Sequence, residues 1–134
     1  MATSAQAQIL PTAYAAPYTA SGTIGFGCAV GFPDASGEVD VVTAVAPILG
    51  VAANAVSAGE EVFVVLAGPA YVKLAGTVTW ATSPFVVPTT AGEFVAAAGD
   101  ETCQVRAIPD ARQGLSAAND DIIRALVGVG AFHS

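Results

Sequence analysis

Turn-forming residues recur at intervals of about 8 to 12 residues along this chain and leave only short apolar segments between them. Groups such as "PDASGE" from Pro33 and "TTAGE" from Thr89 combine a glycine with a side chain that can bond its own backbone. This spacing is typical of β-sandwiches and barrels, because helices need longer uninterrupted periods. Val and Ala supply most of the 54% apolar residues, which suits thin β layers. The sequence therefore predicts an all-β domain with little helix.

The apolar segments between these turns are the predicted strands. Further turns are predicted at "AGPAY" from Ala67 and at "AAGDE" from Ala97. Weak helical turns are expected at residues 47–55 or 111–117, where alanine is frequent. Strands are predicted over residues 23–30, 39–45, 48–53, 61–67, 71–74, 77–80, 85–87, 93–96, 103–108 and 121–127.

The first 33 residues contain no charged side chain. Prolines and glycines interrupt them too often for a membrane span, and a secretory signal would need a basic start. We therefore expect a soluble protein with an extended N-terminal arm, residues 1–22, before a single β domain, residues 23–134. The arm lacks the alternation needed to fold alone, so it must be held by the surface of a partner protein or of an adjacent copy of the chain. Its candidate anchors are the large apolar side chains of Ile9, Leu10, Tyr14 and Tyr18.

The charge balance limits the partners. Four Lys and Arg residues stand against eleven carboxylates, and the formal net charge is −7. Affinity for nucleic acid is carried largely by cations that neutralise phosphates, so nucleic acid is excluded as a direct partner. Anionic membrane surfaces are disfavoured for the same reason.

Recognisable catalytic or metal-binding motifs are absent from the sequence. His133 is the only histidine, and the carboxylate pairs at residues 60–61 and 120–121 lack the alternating spacing of a calcium loop. "GTIGFGCAVGF" from Gly22 lacks the Lys-Ser/Thr of a phosphate-binding loop and reads as a strand that allows close backbone approach. Cys28 and Cys103 are expected to be buried thiols. We predict no enzymatic activity, no metal and no cofactor.

One short sequence occurs twice with substitutions. "SAGEEVFVVLAG" from Ser57 aligns with "SAANDDIIRALVG" from Ser116 when one residue is inserted. In each copy a turn with two adjacent carboxylates leads into an apolar strand, and another apolar strand precedes it. The chain therefore has the pattern of two similar hairpin units around a pseudo-symmetric core, although chance similarity between common residues is the alternative.

Three segments together resemble the small capsid decoration, or cement, proteins of tailed bacteriophages. They are "ILGVAANAVSAGEEVFVVLAGPAYVKLAG", "AGEFVAAAGDETCQVRAIPDA" and "DDIIRALVG", which span residues 48–128. The resemblance implies a compact β-sandwich or β-tulip-like domain that binds the outer surface of an assembled capsid and stabilises it. It further implies a homotrimer and an N-terminal arm that contacts the major capsid protein. The chain departs from the family in its longer uncharged start and in its longer "CQVRAIPDARQGLSAAND" segment, which leaves the subfamily and symmetry open.

Such a protein would be made in the host cytoplasm and would be located on the outer capsid surface of the virion. The alternative function is a carbohydrate-binding or adhesin-like β module displayed on a particle surface. Three aromatic side chains, Trp80, Phe85 and Phe94, could form its sugar-stacking platform, although aromatic residues in short strands usually belong to the core.

Overall fold

A computed structural model describes residues 7–42, 48–79, 85–89, 91–97, 102–108, 116–117 and 121–133. All regular structure in these residues is β, which confirms the prediction of an all-β domain. The strands are β1 (Tyr14–Thr19), β2 (Ala29–Gly31), β3 (Asp40–Val41), β4 (Gly50–Ala52), β5 (Glu61–Lys73), β6 (Val78–Thr79), β7 (Phe85–Pro88), β8 (Phe94–Ala96), β9 (Thr102–Ala107), β10 (Ser116–Ala117) and β11 (Ile122–His133).

Nine strands form one curled antiparallel sheet. Its order is β3-β2-β4-β5-β11-β9-β7-β8, and β1 pairs with β5 beside this path. The remaining strands, β6 and β10, pair with each other in a two-stranded ribbon.

The longest strand, β5, has 13 residues and continues through the segment predicted to turn at "AGPAY". That prediction is wrong, because Gly68 bends the strand with a φ of 95° instead of ending it. A side chain at Gly68 would place its Cβ 3.0 Å from the Cα of Ala13, so only glycine allows the N-terminal segment to pass this close. Before the bend β5 pairs with β1 and β4, and after it with β11.

Several other sequence predictions are corrected by the backbone pairing. Residues 23–28 make one isolated bridge, Ile24 to Val56, and the strand begins only at Ala29. Of the first segment proposed as a helical turn, residues 48–55 contain β4, because sheet neighbours override the weak helix preference of alanine. In the second segment only Ser116 and Ala117 are described, and they form β10. The predicted turn at residues 33–38 is confirmed, with the Ser36 amide donating to Asp34 Oδ1 at 2.8 Å.

The N-terminal segment lies on the chain's own domain. Residues 14–19 form β1, whose register on β5 runs from Tyr14 opposite Ala67 to Thr19 opposite Glu61. Farther back, the Gln8 amide donates to the Ala53 carbonyl at 2.8 Å. Residues 14–19 therefore belong to the sheet and not to an arm outside the domain. This strand could not be recognised in the sequence, because one proline and two alanines among its six residues hide its alternation.

The pairing pattern divides the sheet into two similar units. The first unit contains β1 to β4 and the first half of β5, and the second contains the second half of β5, β7, β8, β9 and β11. In the first unit β2 pairs with β3 and with β4, and β5 pairs with β4 and with β1. In the second unit β7 pairs with β8 and with β9, and β11 pairs with β9 and with β5. The first half of β5 is thus the last strand of the first unit, and its second half is the first strand of the second unit.

The register of these pairs corrects the alignment of the sequence repeat by one residue. Val64 lies opposite Ala52 in the first unit, and Ala125 lies opposite Ala107 in the equivalent position of the second. The sequence alignment instead matches Val64, which is buried, with Arg124, which is exposed. A slip of one residue moves every side chain of a strand to the other face, so the sequence alignment pairs opposite faces.

Each unit has a core on the same face of its sheet. The core of the first unit includes Ile24, Val30 and Val39, and Val78, Val86 and Phe94 occupy the equivalent positions in the second. All six side chains are at most 1% exposed. The cluster that contains the second core also includes Ala29, Val51 and Val65 from the other face of the first unit, so it joins the two units.

Candidate interaction surface

The four predicted anchors differ in how far the structure exposes them. Tyr14 is 65% exposed and Ile9 is 43% exposed, whereas Leu10 and Tyr18 are half-buried. Tyr18 packs against the core of the first unit. Of the four anchors, Ile9 and Tyr14 therefore offer the exposed apolar surface that another molecule could cover.

An exposed aromatic side chain that the sequence analysis did not single out lies beside Tyr18. Phe32, which follows β2, is 51% exposed, and its ring meets that of Tyr18 edge-on with centroids 5.9 Å apart. Its position directly before the turn "PDASGE" was the available signal, because an aromatic residue at a loop edge is poorly placed for the core. The first unit thus exposes the ring of Phe32 two residues before the exposed Asp34.

A second exposed apolar surface lies on β11. Ile122 is 47% exposed and Leu126 is 38% exposed, and the exposed Arg124 lies between them on the same face. Across the sheet Leu126 lies opposite Arg106, and Arg106 lies opposite Phe85. We call the three registered residues Phe85, Arg106 and Leu126 the outer row of the second unit.

The cations of the chain are concentrated in the second unit. Residues 1–67 contain no Lys or Arg and five carboxylates, whereas all four cations follow residue 67. Arg106 is exposed in the outer row, and Arg124 is exposed beside it. Lys73 forms an ion pair with Glu93, with Nζ to Oε2 at 3.0 Å. The two units therefore differ in electrostatic character although their topology is the same.

The first pair of adjacent carboxylates has a local structural role. Glu60 Oε1 accepts a 2.6 Å hydrogen bond from the Ser57 amide and so holds the turn that leads into β5. Asp34 has a similar role, and its hydrogen bonds from Ser36 lower the pKa of its carboxyl. Within the described ranges no three His, Cys, Asp or Glu side chains are grouped to hold a metal ion.

Cys28, directly before β2, is a buried free cysteine. Burial raises the pKa of its thiol, and the charge of Glu93 raises it further, so the thiol stays protonated at neutral pH. The other cysteine, Cys103, lies in β9, and its side chain is outside the described residues. The backbone of His133 pairs with Thr102 at the end of β11, so the backbone of this residue is part of the sheet.

The three aromatic residues considered as a sugar platform do not share an exposed face. Phe94 is fully buried in the core of the second unit, and Phe85 is half-buried. Trp80 lies outside the described residues. In the described part of the chain, no helix has the length and hydropathy to span a membrane.

The fold is similar to one solved structure that combines high coverage with low sequence identity. No protein-family model matches the sequence, and no curated protein matches it either. The chain resembles the crystal structure of the head fiber gp8.5 N base of bacteriophage phi29, with a TM-score of 0.67. The two sequences are 10% identical, and the superposition covers 90% of this chain and 98% of that one. It is a likeness of fold.

The coverage indicates that both units take part in this likeness. A superposition that covers 90% of the chain must include most of the strands on each side of Gly68. The likeness to the head-fiber base is therefore not confined to one of the two units.

Proposed function

We propose that this chain is a structural protein of a phage virion, which binds the outer surface of an assembled capsid and stabilises it. The observation that carries the proposal is the fold likeness to the base of a phage head fiber over nearly the full length of both chains. The resemblance of residues 48–128 to capsid decoration proteins points in the same direction.

In this proposal the exposed part of the N-terminal segment contacts the major capsid protein. Ile9 and Tyr14 lie on a segment whose backbone is already held by β5 and by Ala53, the residue after β4, so binding would order few additional residues. A protein that binds only the assembled shell stabilises that shell by mass action. The chain would act as a homotrimer, without enzymatic activity and without nucleic acid or membrane as a partner.

Binding to capsids that lack the protein tests this proposal. Purified chain is mixed with such capsids, and occupancy is measured by cosedimentation and the temperature of capsid disruption by light scattering. The unmodified chain should bind and raise that temperature. The double variant Ile9→Ser/Tyr14→Ser should lose about 5- to 30-fold in affinity, since two partly exposed apolar side chains contribute on the order of 1 to 2 kcal/mol when covered.

The double variant Thr23→Ala/Thr77→Ala is the matched control. Both threonines are exposed and lie at equivalent positions in the two units, so this variant should bind as the unmodified chain does. The absence of binding by the unmodified chain would overturn the proposed function. Equal binding by all three proteins would overturn only the role of Ile9 and Tyr14 and would leave the proposed function standing.

The carbohydrate-binding alternative has less support. Its platform required Phe94 at the surface, and Phe94 is 0% exposed. Binding of the purified chain to an oligosaccharide with no binding to capsids would restore that alternative.

A further inference from the structure

The same face of the two units is covered in one unit and open in the other. In the first unit, Ala29, Val51 and Val65 form a registered row across β2, β4 and β5, and each is at most 1% exposed. Their equivalents form the outer row of the second unit, where Arg106 and Leu126 are exposed and Phe85 is half-buried.

The second unit covers the row of the first. The Ala29 amide donates to the Gly92 carbonyl at 2.8 Å, and the Lys73 amide donates to the Gly27 carbonyl at 3.0 Å. Ala29, Val51 and Val65 also belong to the same apolar cluster as the core of the second unit. The covering surface thus consists of two elements of the second unit. They are the turn at Gly92, before β8, and the C-terminal end of β5 at Lys73.

The first unit has the same two elements in the same topological places. Its turn at residues 33–38 precedes β3 as the turn at Gly92 precedes β8. Its opening strand β1 ends at Thr19, and the next residue, Ala20, bridges to Val39 as Leu74 bridges to Phe94. A second copy of the chain therefore presents a surface of the kind that already covers this row within one chain.

Charge favours the same contact. The turn at residues 33–38 carries Asp34 and Glu38, and the first unit has no cation. The open row contains Arg106, with Arg124 beside it. Opposite charges across such a contact select the orientation and speed association.

We propose that the outer row of the second unit docks against the acidic turn 33–38 and the end of β1 of a second copy, as the second unit covers the first within one chain. The contact is head-to-tail, because it joins two different surfaces, so it leads to a closed ring or to an open chain of copies. It does not depend on capsid binding, and it assigns a specific surface to self-association.

Sedimentation equilibrium of the purified full chain tests the contact. The unmodified chain should associate, and association should weaken as salt screens the opposite charges. Arg124→Glu and Glu38→Lys should each raise the dissociation constant about tenfold. Their combination in one chain restores opposite charges across the contact and the original net charge, so it should return the constant to within about threefold of the unmodified value.

Glu61→Lys is the control for net charge, since Glu61 is exposed on the first unit outside the turn. It changes the charge as Glu38→Lys does and should leave association within about threefold. Circular dichroism melting checks that each variant is folded. A chain that stays monomeric up to about 1 mM at low salt, an equal effect of Glu61→Lys, or no recovery in the combined variant would overturn the proposal.

Discussion

At the scale of single residues, close backbone approach determines where glycine is needed. Gly27 has a φ of 79°, and a Cβ there would lie 2.8 Å from the backbone nitrogen of Lys73. The neighbouring atom is backbone in the strand that joins the two units, so it has little room to move. Gly37 has a similar φ of 85°, but a Cβ at that position would meet nothing within 4 Å.

The two glycines therefore predict different costs. Gly27→Ala should lower the free energy of unfolding by about 2 to 4 kcal/mol, because the strain of a positive φ and a steric clash add. Gly37→Ala should lower it by about 1 kcal/mol through backbone strain alone. Urea unfolding of both variants measures the difference. Equal losses would show that the contact between Gly27 and Lys73 is not as close as the structure indicates.

At the scale of strands, the register of the repeat decides which side chains face the core. Sequence similarity matches Val64 with Arg124, whereas the sheet makes Phe63 the equivalent of Arg124. Val64 is 0% exposed, and Phe63 is half-buried. The sequence alignment predicts that β5 tolerates an arginine at Val64, whereas the structure predicts that it tolerates one at Phe63, on the opposite face. Substituting arginine at each of these two positions therefore distinguishes the two registers.

Val64→Arg should cost roughly 3 kcal/mol or more, since it buries a charge among the apolar side chains of the first core. Phe63→Arg should cost about 1 to 2 kcal/mol, because a long side chain at a half-buried position can keep its charged group in water. Thermal unfolding of the two variants decides the register. The opposite order of stabilities would support the sequence alignment and refute the structural one.

At the scale of the whole molecule, the two units are joined too closely to unfold separately. Strand β5 belongs to both, and one apolar cluster contains side chains from each. Unfolding one unit would expose the row of Ala29, Val51 and Val65 and remove a neighbour of β5 from the other. The chain should therefore behave as one cooperative domain despite its internal repeat.

Calorimetry tests this cooperativity with equivalent substitutions. Val30→Ala and Val86→Ala remove the same groups from equivalent positions in the two cores, and each should cost about 1 to 3 kcal/mol. Both should shift a single transition whose calorimetric and van't Hoff enthalpies agree. If either variant splits the transition in two, the units are independent.

The all-β class, the turn at residues 33–38 and the existence of a repeated unit could be predicted from the sequence, because they depend on local turn chemistry and on short apolar segments. The course of β5 through Gly68 could not, since a bent strand and a turn have the same local residues and only the partners β1 and β11 distinguish them.

The candidate surface shows the same division. Ile9 and Tyr14 could be selected from the sequence because large apolar side chains stand out in a polar or Ala-rich segment, and the structure leaves both exposed. Leu126 and Arg106 could not be selected, because their exposure depends on which face of a strand is covered. Nearly the same five-strand pattern occurs twice, yet its outer face is buried in the first unit and open in the second. Only the tertiary structure decides this, because the first unit is followed by a second that covers it, whereas among the described residues no further unit covers the second.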